Sequence, residues 1–430
     1  MKYFGTDGIR GVPNQLLNVE FLIKLGKSLN CLDSKEVVIA TDTRISKDMI
    51  TSAISAGAMS MGLNVKLAGV ISTPALIYYS MKKQITGVMI TASHNPYIDN
   101  GIKILNKGIK LNKEEELKIE ELIDKPLLED SEIGKLEYDN NLKKDYIDFV
   151  LNNVVKTNKR ICIDCANGST TYTALPIFKN VTDDLVIVGA SPDGYNINEG
   201  VGSTHINFLR DTVINNKCDI GFSFDGDGDR VICVDNNGNV IDGDMIIYLI
   251  ARYLKKNNKL NDNTVVLSIM SNLGLIKKLV DNGISVYETP VGDKHIYEAL
   301  EEFNFSIGGE NSGHIIIPNI LHTGDGVLIA IMLIKILEET DTNMSDWFND
   351  LEMYADRMIN VSVTNKNAIY DNEILYKRID EIKKELKDDC KIIVRPSGTE
   401  EKIRISVMAK DIDLVDKYIE ELALIVMEMA

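Results

Sequence analysis

VVIATDTRISKDMITSAISAGAMSMGLNVKLAGVISTPALIYYSMKKQITGVMIT (37–91) sets the architecture. It opens on a short apolar run of strand type, residues 37–41. Residues 46–62 follow with helical spacing and a glycine stop, and further strand-like runs stand at 65–68 and 87–91. Strand and helix in alternation predict a mainly parallel sheet covered by helices. Upstream, residues 19–29 place Val19, Leu22, Ile23 and Leu29 at helical period. Downstream, residues 114–123 read as an acidic amphipathic helix with a solvated face.

The pattern restarts twice. Residues 161–164, 170–178, 185–188, 208–216 and 220–224 spell strand, helix, strand, helix, strand. A hairpin follows, 231–234 with 240–241, turned by Asn236-Asn237-Gly238. The third round begins with a helix at 244–254. Strands at 265–269, 286–288 and 306–307 then alternate with helices, and another helix covers 326–338. The end differs: strand 359–364, helix 372–387, strands 391–394 and 403–408, helix 414–427. The expected fold is three related α/β domains with mainly parallel sheets plus a C-terminal α+β domain, divided as 1–145, 146–243, 244–357 and 358–430.

The 430 residues carry a formal net charge of −17. That acid excess argues against a broad nucleic-acid-binding face, though a few basic residues can still hold a small anion. The longest strongly apolar stretch, 327–334, is interrupted by Lys335. A spanning helix needs about 20 such residues, so no membrane span is expected. The opening MKYFGTDGIRG has no apolar leader, and six cysteines suit free thiols in a reducing cytoplasm. Cys162 and Cys165 form a CxxC without a second pair. ICIDCANG around them reads as a buried strand entering a turn.

Four loops carry chemistry, each beside a strand end, where open α/β sheets bind ligands. TASHNPYIDNGIK (91–103) puts Ser93 at the carboxyl end of a strand, followed by His94. A serine there can be a nucleophile or a phosphate carrier, or simply part of a turn. The G-x-S-x-G elbow of serine hydrolases is missing. Lys103 can return to this loop as a proton donor or acceptor. FDGDGDR (224–230) places Asp225, Asp227 and Asp229 at alternate positions with Gly226 and Gly228 between them. Such carboxylates can converge on one hard cation, here Mg²⁺, and their mutual repulsion calls for one. An EF-hand would need Gly and Glu where Arg230 and Asn236 stand. Arg230 adds a fixed cation beside the metal. GGENSGH (308–314) offers Glu310, Ser312 and His314, a set suited to sugar hydroxyls or an amine. RPSGTE (395–400) offers Arg395, Ser397, Thr399 and the N–H of Gly398 as an anion cradle that Arg404 can join. No P-loop or dinucleotide fingerprint is present.

In this order and spacing the four loops resemble the α-D-phosphohexomutase superfamily over essentially the whole chain. YFGTDGIRG (3–11), VGDKH (291–295), residues 196–205, SNLG (271–274) and TGDG (323–326) are most similar to its bacterial glucosamine-phosphate branch. The resemblance implies three α/β domains and a C-terminal lid. It implies a phosphorylated Ser93, with Asp225, Asp227, Asp229 and the phosphoserine around one Mg²⁺ per subunit. Glu310, Ser312 and His314 would read the sugar. Arg395, Ser397, Gly398 and Thr399 would grip the phosphate not being transferred. Arg10, Lys103, Arg230, Lys294 and, more weakly, His94 would supply charge or move protons. The implied reaction is interconversion of glucosamine 6-phosphate and glucosamine 1-phosphate through a 1,6-bisphosphate, toward UDP-N-acetylglucosamine. The substrate would be a phosphorylated hexosamine, and the enzyme a homodimer. Phosphomannomutase or phosphoglucomutase activity stays open, because Glu-x-Ser-Gly-His also occurs in those branches. A phosphatase or an inactive scaffold remain further readings. Lys294 and His295 stand where the family commonly has Arg and Tyr, and Val201 where it has Cys.

Overall fold

The computed structural model describes residues 2–5, 7–125, 132–139, 141–387, 389–397 and 401–428. Four sheets account for the four units. In the first, the strands run Ile9–Gly11, Asn100–Asn106, Thr86–Ile90, Glu36–Thr41, Asn64–Val70, Leu136–Tyr138. Glu36–Thr41 pairs in parallel with Asn64–Val70 and Thr86–Ile90. Thr86–Ile90 is buried along its whole length, as expected of a strand covered by helices on both faces. The second sheet runs Val240–Ile241, Val231–Asp235, Ile220–Phe224, Ile161–Asp164, Leu185–Val188, with a parallel core ending in the expected hairpin. The third orders Ser285–Thr289, Thr264–Ser268, Gly308–Gly309, Ile315–Ile317, Leu321–Gly324. The fourth, Ala355–Ser362, Lys402–Ala409, Cys390–Pro396, is antiparallel throughout.

One apolar core threads the first three units: Val38, Phe222 and Ile247 belong to the same buried cluster. The C-terminal unit packs its own cluster around Val361, Ile405 and Leu422. Cys162 and Cys165 are buried free thiols, as the core-strand reading expects.

Several local expectations need correction. Residues 91–103 are not all loop, because Asn100–Asn106 is a strand paired antiparallel with Thr86–Ile90 and with Ile9–Gly11. Its Asn-Gly start reads as a turn, while its register is set by pairing with both neighbours. The strand expected at 306–307 forms two residues later, at Gly308–Gly309. Helix Thr73–Lys83 joins the third and fourth strands in sequence, and helix Asn141–Leu151 contains Asp145. The acidic helix Lys113–Asp124 is not solvated throughout. Glu120 is buried and accepts the backbone N–H groups of Lys2, Tyr3 and Phe4 at 2.9, 2.6 and 2.9 Å. That carboxylate supplies the acceptor for three successive backbone N–H groups. Among the described residues no helix is long and apolar enough to cross a membrane.

Candidate active site

The chain leaves the Thr86–Ile90 strand and turns at once through Ser93, whose φ of +51° is left-handed. Few residues with a Cβ adopt that region without being held there. The Ser93 N–H donates to Thr91 Oγ1 at 2.9 Å. Its hydroxyl, on a residue 1% exposed, donates to Asp225 Oδ2 at 2.6 Å. The serine loop of the first unit therefore faces the aspartate loop of the second.

That second loop leaves the Ile220–Phe224 strand, and all three of its aspartates are buried. One side-chain oxygen from each lies within 4.8 Å of the others. Two glycines make this packing possible. A Cβ on Gly226 would stand 2.6 Å from the Ser93 carbonyl oxygen, and Gly228 has φ +76°. The loop is clamped by its neighbours. Thr73 donates its N–H to the Asp227 carbonyl at 2.8 Å and its hydroxyl to Asp227 Oδ2 at 2.6 Å. Gly326 N–H reaches Gly228 O at 3.1 Å from the third unit.

Burial, then the charges of Asp229 and Asp227, push the Asp225 carboxyl well above the usual range. Burial alone would raise Asp229 too, but Lys103, His314 and Arg230 hold it well below. Asp227 Oδ1 and Asp229 Oδ1 are buried without a hydrogen-bond partner among the described residues. Hard oxygen donors with unused lone pairs, crowded until one resists ionisation, fit a divalent cation.

Lys103 follows the serine loop and reaches back to the aspartates that face it. It lies on a strand, and its Nζ is 3.0 Å from Asp227 Oδ2, 3.3 Å from Asp229 Oδ2 and 3.1 Å from Asp7 Oδ2. Burial pulls its pKa down, but Asp227, Asp7 and Asp229 raise it well above the ordinary lysine value, so it is an ammonium. His94 Nδ1 lies 3.3 Å from Ser93 Oγ. Burial, with Arg230 and Arg10 nearby, pushes its pKa down to about 4, so the imidazole is neutral near pH 7. Arg10, His94, Arg230, Asp293, Glu310 and His314 all line one cavity of 470 Å³.

Around this cleft Glu310 Oε1 accepts the Gly292 N–H at 3.0 Å. The Ser312 hydroxyl is buried with no partner among the described residues. His314 is buried between two carboxylates, its Nδ1 3.7 Å from Asp229 and its Nε2 3.7 Å from Asp293. It thereby links the aspartate loop to the 291–295 loop. Lys294 departs from expectation: it lines a neighbouring cavity of 190 Å³ with Lys110, Asn112 and His322. Helix Asp293–Phe303 begins directly after Gly292, and successive helical residues point about 100° apart. The phase turns Asp293 toward the cleft and Lys294 away. Lys110 bridges this loop to the first unit, bonding Asp293 and, at 2.8 Å, Asp7.

On the C-terminal unit Arg395 and Arg404 are direct partners across two antiparallel strands. Burial, then the charge of Arg404, lowers the Arg395 pKa. Arg404 Nε is buried without a partner among the described residues. Two facing guanidiniums of this kind suit a phosphate. Ser397 is buried beside them, and Gly398 and Thr399 lie outside the described residues. Thr73, Asp7 and Lys110 were not singled out from the sequence. Of these only Asp7 lay in a quoted motif, and nothing local marks the other two as neighbours of the cleft.

Fold and cleft together define a four-domain phosphosugar mutase. The chain matches the Phosphoglucomutase/phosphomannomutase family in order: alpha/beta/alpha domain I over residues 1–129, domain II over 138–238, domain III over 242–354 and the C-terminal domain over 358–425. It belongs to that family and is an enzyme. It is 42% identical over 438 residues to the phosphoglucosamine mutase of Bacillus licheniformis, covering 98% of this chain and 97% of that one. A phosphoglucomutase/phosphomannomutase family protein from Burkholderia thailandensis superposes with TM-score 0.81 at 20% identity, covering 98% and 96% of the two chains. N-acetylphosphoglucosamine mutase of Aspergillus fumigatus, solved with GlcNAc-6P and magnesium, gives TM-score 0.72 at 18% identity over 99% and 96%. These two solved structures bear on the fold.

Proposed function

We propose that the chain interconverts glucosamine 6-phosphate and glucosamine 1-phosphate, carrying the phosphoryl group on Ser93. The observation that carries this reading is the Ser93 hydroxyl aimed at the buried aspartate cluster, with Asp225 Oδ2 at 2.6 Å. The choice of glucosamine rests on the 42% identity to a phosphoglucosamine mutase along nearly the whole chain.

In the forward direction the phosphoserine O–P bond breaks while the sugar O1 forms a bond to the same phosphorus. The O1 proton leaves and Ser93 Oγ ends protonated, which gives glucosamine 1,6-bisphosphate and a free serine. The bisphosphate turns in the cleft. Ser93 Oγ then takes the 6-phosphoryl, its proton passes to O6, and glucosamine 1-phosphate departs. Such transfers depend on positioning and on charge stabilisation. Arg230 and the Lys103 ammonium offset charge at the transferred group, and the neutral His94 imidazole can hold the hydroxyl proton. Arg10 lines the same cleft as a further cation. Arg395, Arg404 and Ser397, with Gly398 and Thr399, hold whichever phosphate is not reacting. Glu310 and Ser312 contact the sugar, and His314 steadies their loop. Asp225, Asp227, Asp229 and the phosphoserine would hold one Mg²⁺ per chain, and the chemistry that ion supplies is neutralisation of carboxylate and phosphoryl charge. Magnesium in the Aspergillus fumigatus relative supports the choice of ion. A lid formed by 358–430 would exclude water from the phosphoserine. Divisions near 145, 243 and 357, from the strand and helix pattern, a cytoplasmic setting, from the free thiols, and a homodimer, from the family resemblance, complete the reading.

The test is a substrate comparison. Phosphorylated protein with Mg²⁺ receives glucosamine, glucose or mannose 6-phosphate, each with a trace of its 1,6-bisphosphate, and phosphorus NMR follows the 1-phosphates. The expected kcat/KM is highest for glucosamine. Preference for mannose or glucose would move the chain to a neighbouring branch, and no conversion would reject the mechanism.

A further inference from the structure

Arg44 is completely buried and lies outside the cleft. Its guanidinium has five N–H donors, and each has an acceptor. Nε donates to Asp42 Oδ2 at 2.9 Å. Nη1 donates to Pro96 O and, at 2.9 Å, to Asp99 O. Nη2 donates to Ser93 O at 3.1 Å and to Asn95 O at 2.8 Å. All but one of these acceptors are main-chain carbonyls of segment 93–99. Asp42 completes the grip from the other side. Its Oδ2 accepts the Thr91 hydroxyl at 2.7 Å, and the oxygen of that hydroxyl accepts the Ser93 N–H at 2.9 Å. From the second unit, Asn198 Nδ2 donates to Ser93 O at 2.9 Å and to Asn95 O at 3.1 Å.

A buried ion pair is weak evidence for stability, since well-packed apolar residues often serve as well. This pair instead surrounds a strained residue. Left-handed backbone costs a serine about 1 kcal/mol or more, and such strain persists only where the surroundings over-determine it. Arg44 holds the Ser93 carbonyl directly and Asp42 holds its N–H through Thr91, so together they fix the direction in which its Oγ leaves the chain.

The geometry points to Arg44 as a positioning residue of phosphoryl transfer, acting with Asn198 by clamping the Ser93 carbonyl so that Oγ stays aimed at the aspartate site. The inference rests on Ser93 being the carrier, as proposed above. One oxygen must give a phosphoryl to one end of the sugar and take one from the other, in line each time. A misplacement of about 1 Å can cost roughly 100-fold in such a step. Arg44 is fully buried and does not line the cleft, so substrate affinity should not depend on it directly.

The test uses full-length Arg44→Lys, which keeps the charge opposite Asp42 but loses the planar fork, together with Asn198→Ala and Ser93→Ala. Arg44→Lys is expected to lower kcat about 100-fold and Asn198→Ala about tenfold. Calorimetric Kd for glucosamine 6-phosphate stays within threefold in both. The share of phosphoryl groups lost to water per turnover rises, because a misaimed phosphoserine meets solvent before sugar. A folded Arg44→Lys with kcat within threefold of wild type overturns the inference. So does a fall in kcat matched by lost sugar affinity with no added hydrolysis, the signature of general loosening. If Arg44→Lys does not fold, Asn198→Ala decides on the same readouts. Turnover surviving in Ser93→Ala would instead overturn the carrier reading, so the two failures are separable.

Discussion

At the aspartate loop every carboxylate is buried and neighbouring units hold its backbone: Thr73 from the first, Gly326 from the third. At the arginine pair the two cations are only partly buried, and they ride on a unit whose apolar cluster is separate from the large one. The joint between these bodies is polar. Tyr354 of the third unit donates its hydroxyl to Asp389 of the C-terminal unit at 2.5 Å. Lys391 reaches Glu288 at 2.6 Å and the Ser271 carbonyl at 3.1 Å. The contrast follows from the chemistry proposed for each end. The end that breaks O–P bonds needs fixed geometry. The end that must accept either phosphate of a turning bisphosphate needs charge on a body able to release it.

Four experiments probe this contrast. The largest effect is expected from Ser93→Ala: a loss of at least about 1,000-fold in turnover, with the folded state retained by circular dichroism. Near-wild-type turnover would remove the fixed end from the account. Next is Asp225→Asn. Its carboxyl now resists ionisation because of burial and two neighbouring carboxylates. The metal-free variant should therefore melt a few degrees higher while losing on the order of 100-fold in activity. Adding Mg²⁺ should raise its Tm less than that of the wild type, and equal increments would contradict the aspartate site. Third, Arg404→Met should raise KM for the sugar phosphate about ten- to a hundredfold, the worth of one or two charge-assisted hydrogen bonds. Its Mg²⁺-dependent Tm gain should match the wild type. A fall in kcat at constant KM would place Arg404 at the wrong end of the cleft.

The smallest effect concerns Asp325, which accepts the Tyr146 hydroxyl at 2.9 Å and caps the Gly326–Thr340 helix. Burial pushes its carboxyl up to about 6, against 3.8 in the unfolded chain. Between those values the folded state holds the extra proton, so this group's contribution to stability falls as pH rises from about 4 to about 6 and is flat above. Asp325→Asn should remove that part of the slope, about 3 kcal/mol at most, in denaturant midpoints measured across the range. An unchanged profile would mean that the carboxyl ionises freely.

Much of the architecture was legible because apolar runs and glycine stops are local signals. The aspartate loop was legible too, since three carboxylates at alternate positions repel unless something neutralises them. What escaped the sequence depends on contacts across long separations. Thr73 meets Asp227 across 154 residues, and Arg44 meets Ser93 across 49. Residues 100–106 hide a strand behind an Asn-Gly start, and only pairing on both edges reveals it. The direction of Lys294 depends on where a helix begins, which its charge does not disclose. Glu120 looked like one more solvated acid until the N-terminal segment folded onto it.

The most direct test follows one phosphorus atom. Protein carrying isotopically labelled phosphoserine at residue 93 is mixed with unlabelled glucosamine 6-phosphate for a single turnover. The account predicts the label on glucosamine 1-phosphate, with unlabelled phosphate restored to Ser93. Label remaining on the protein while product forms, or released as inorganic phosphate, would contradict it.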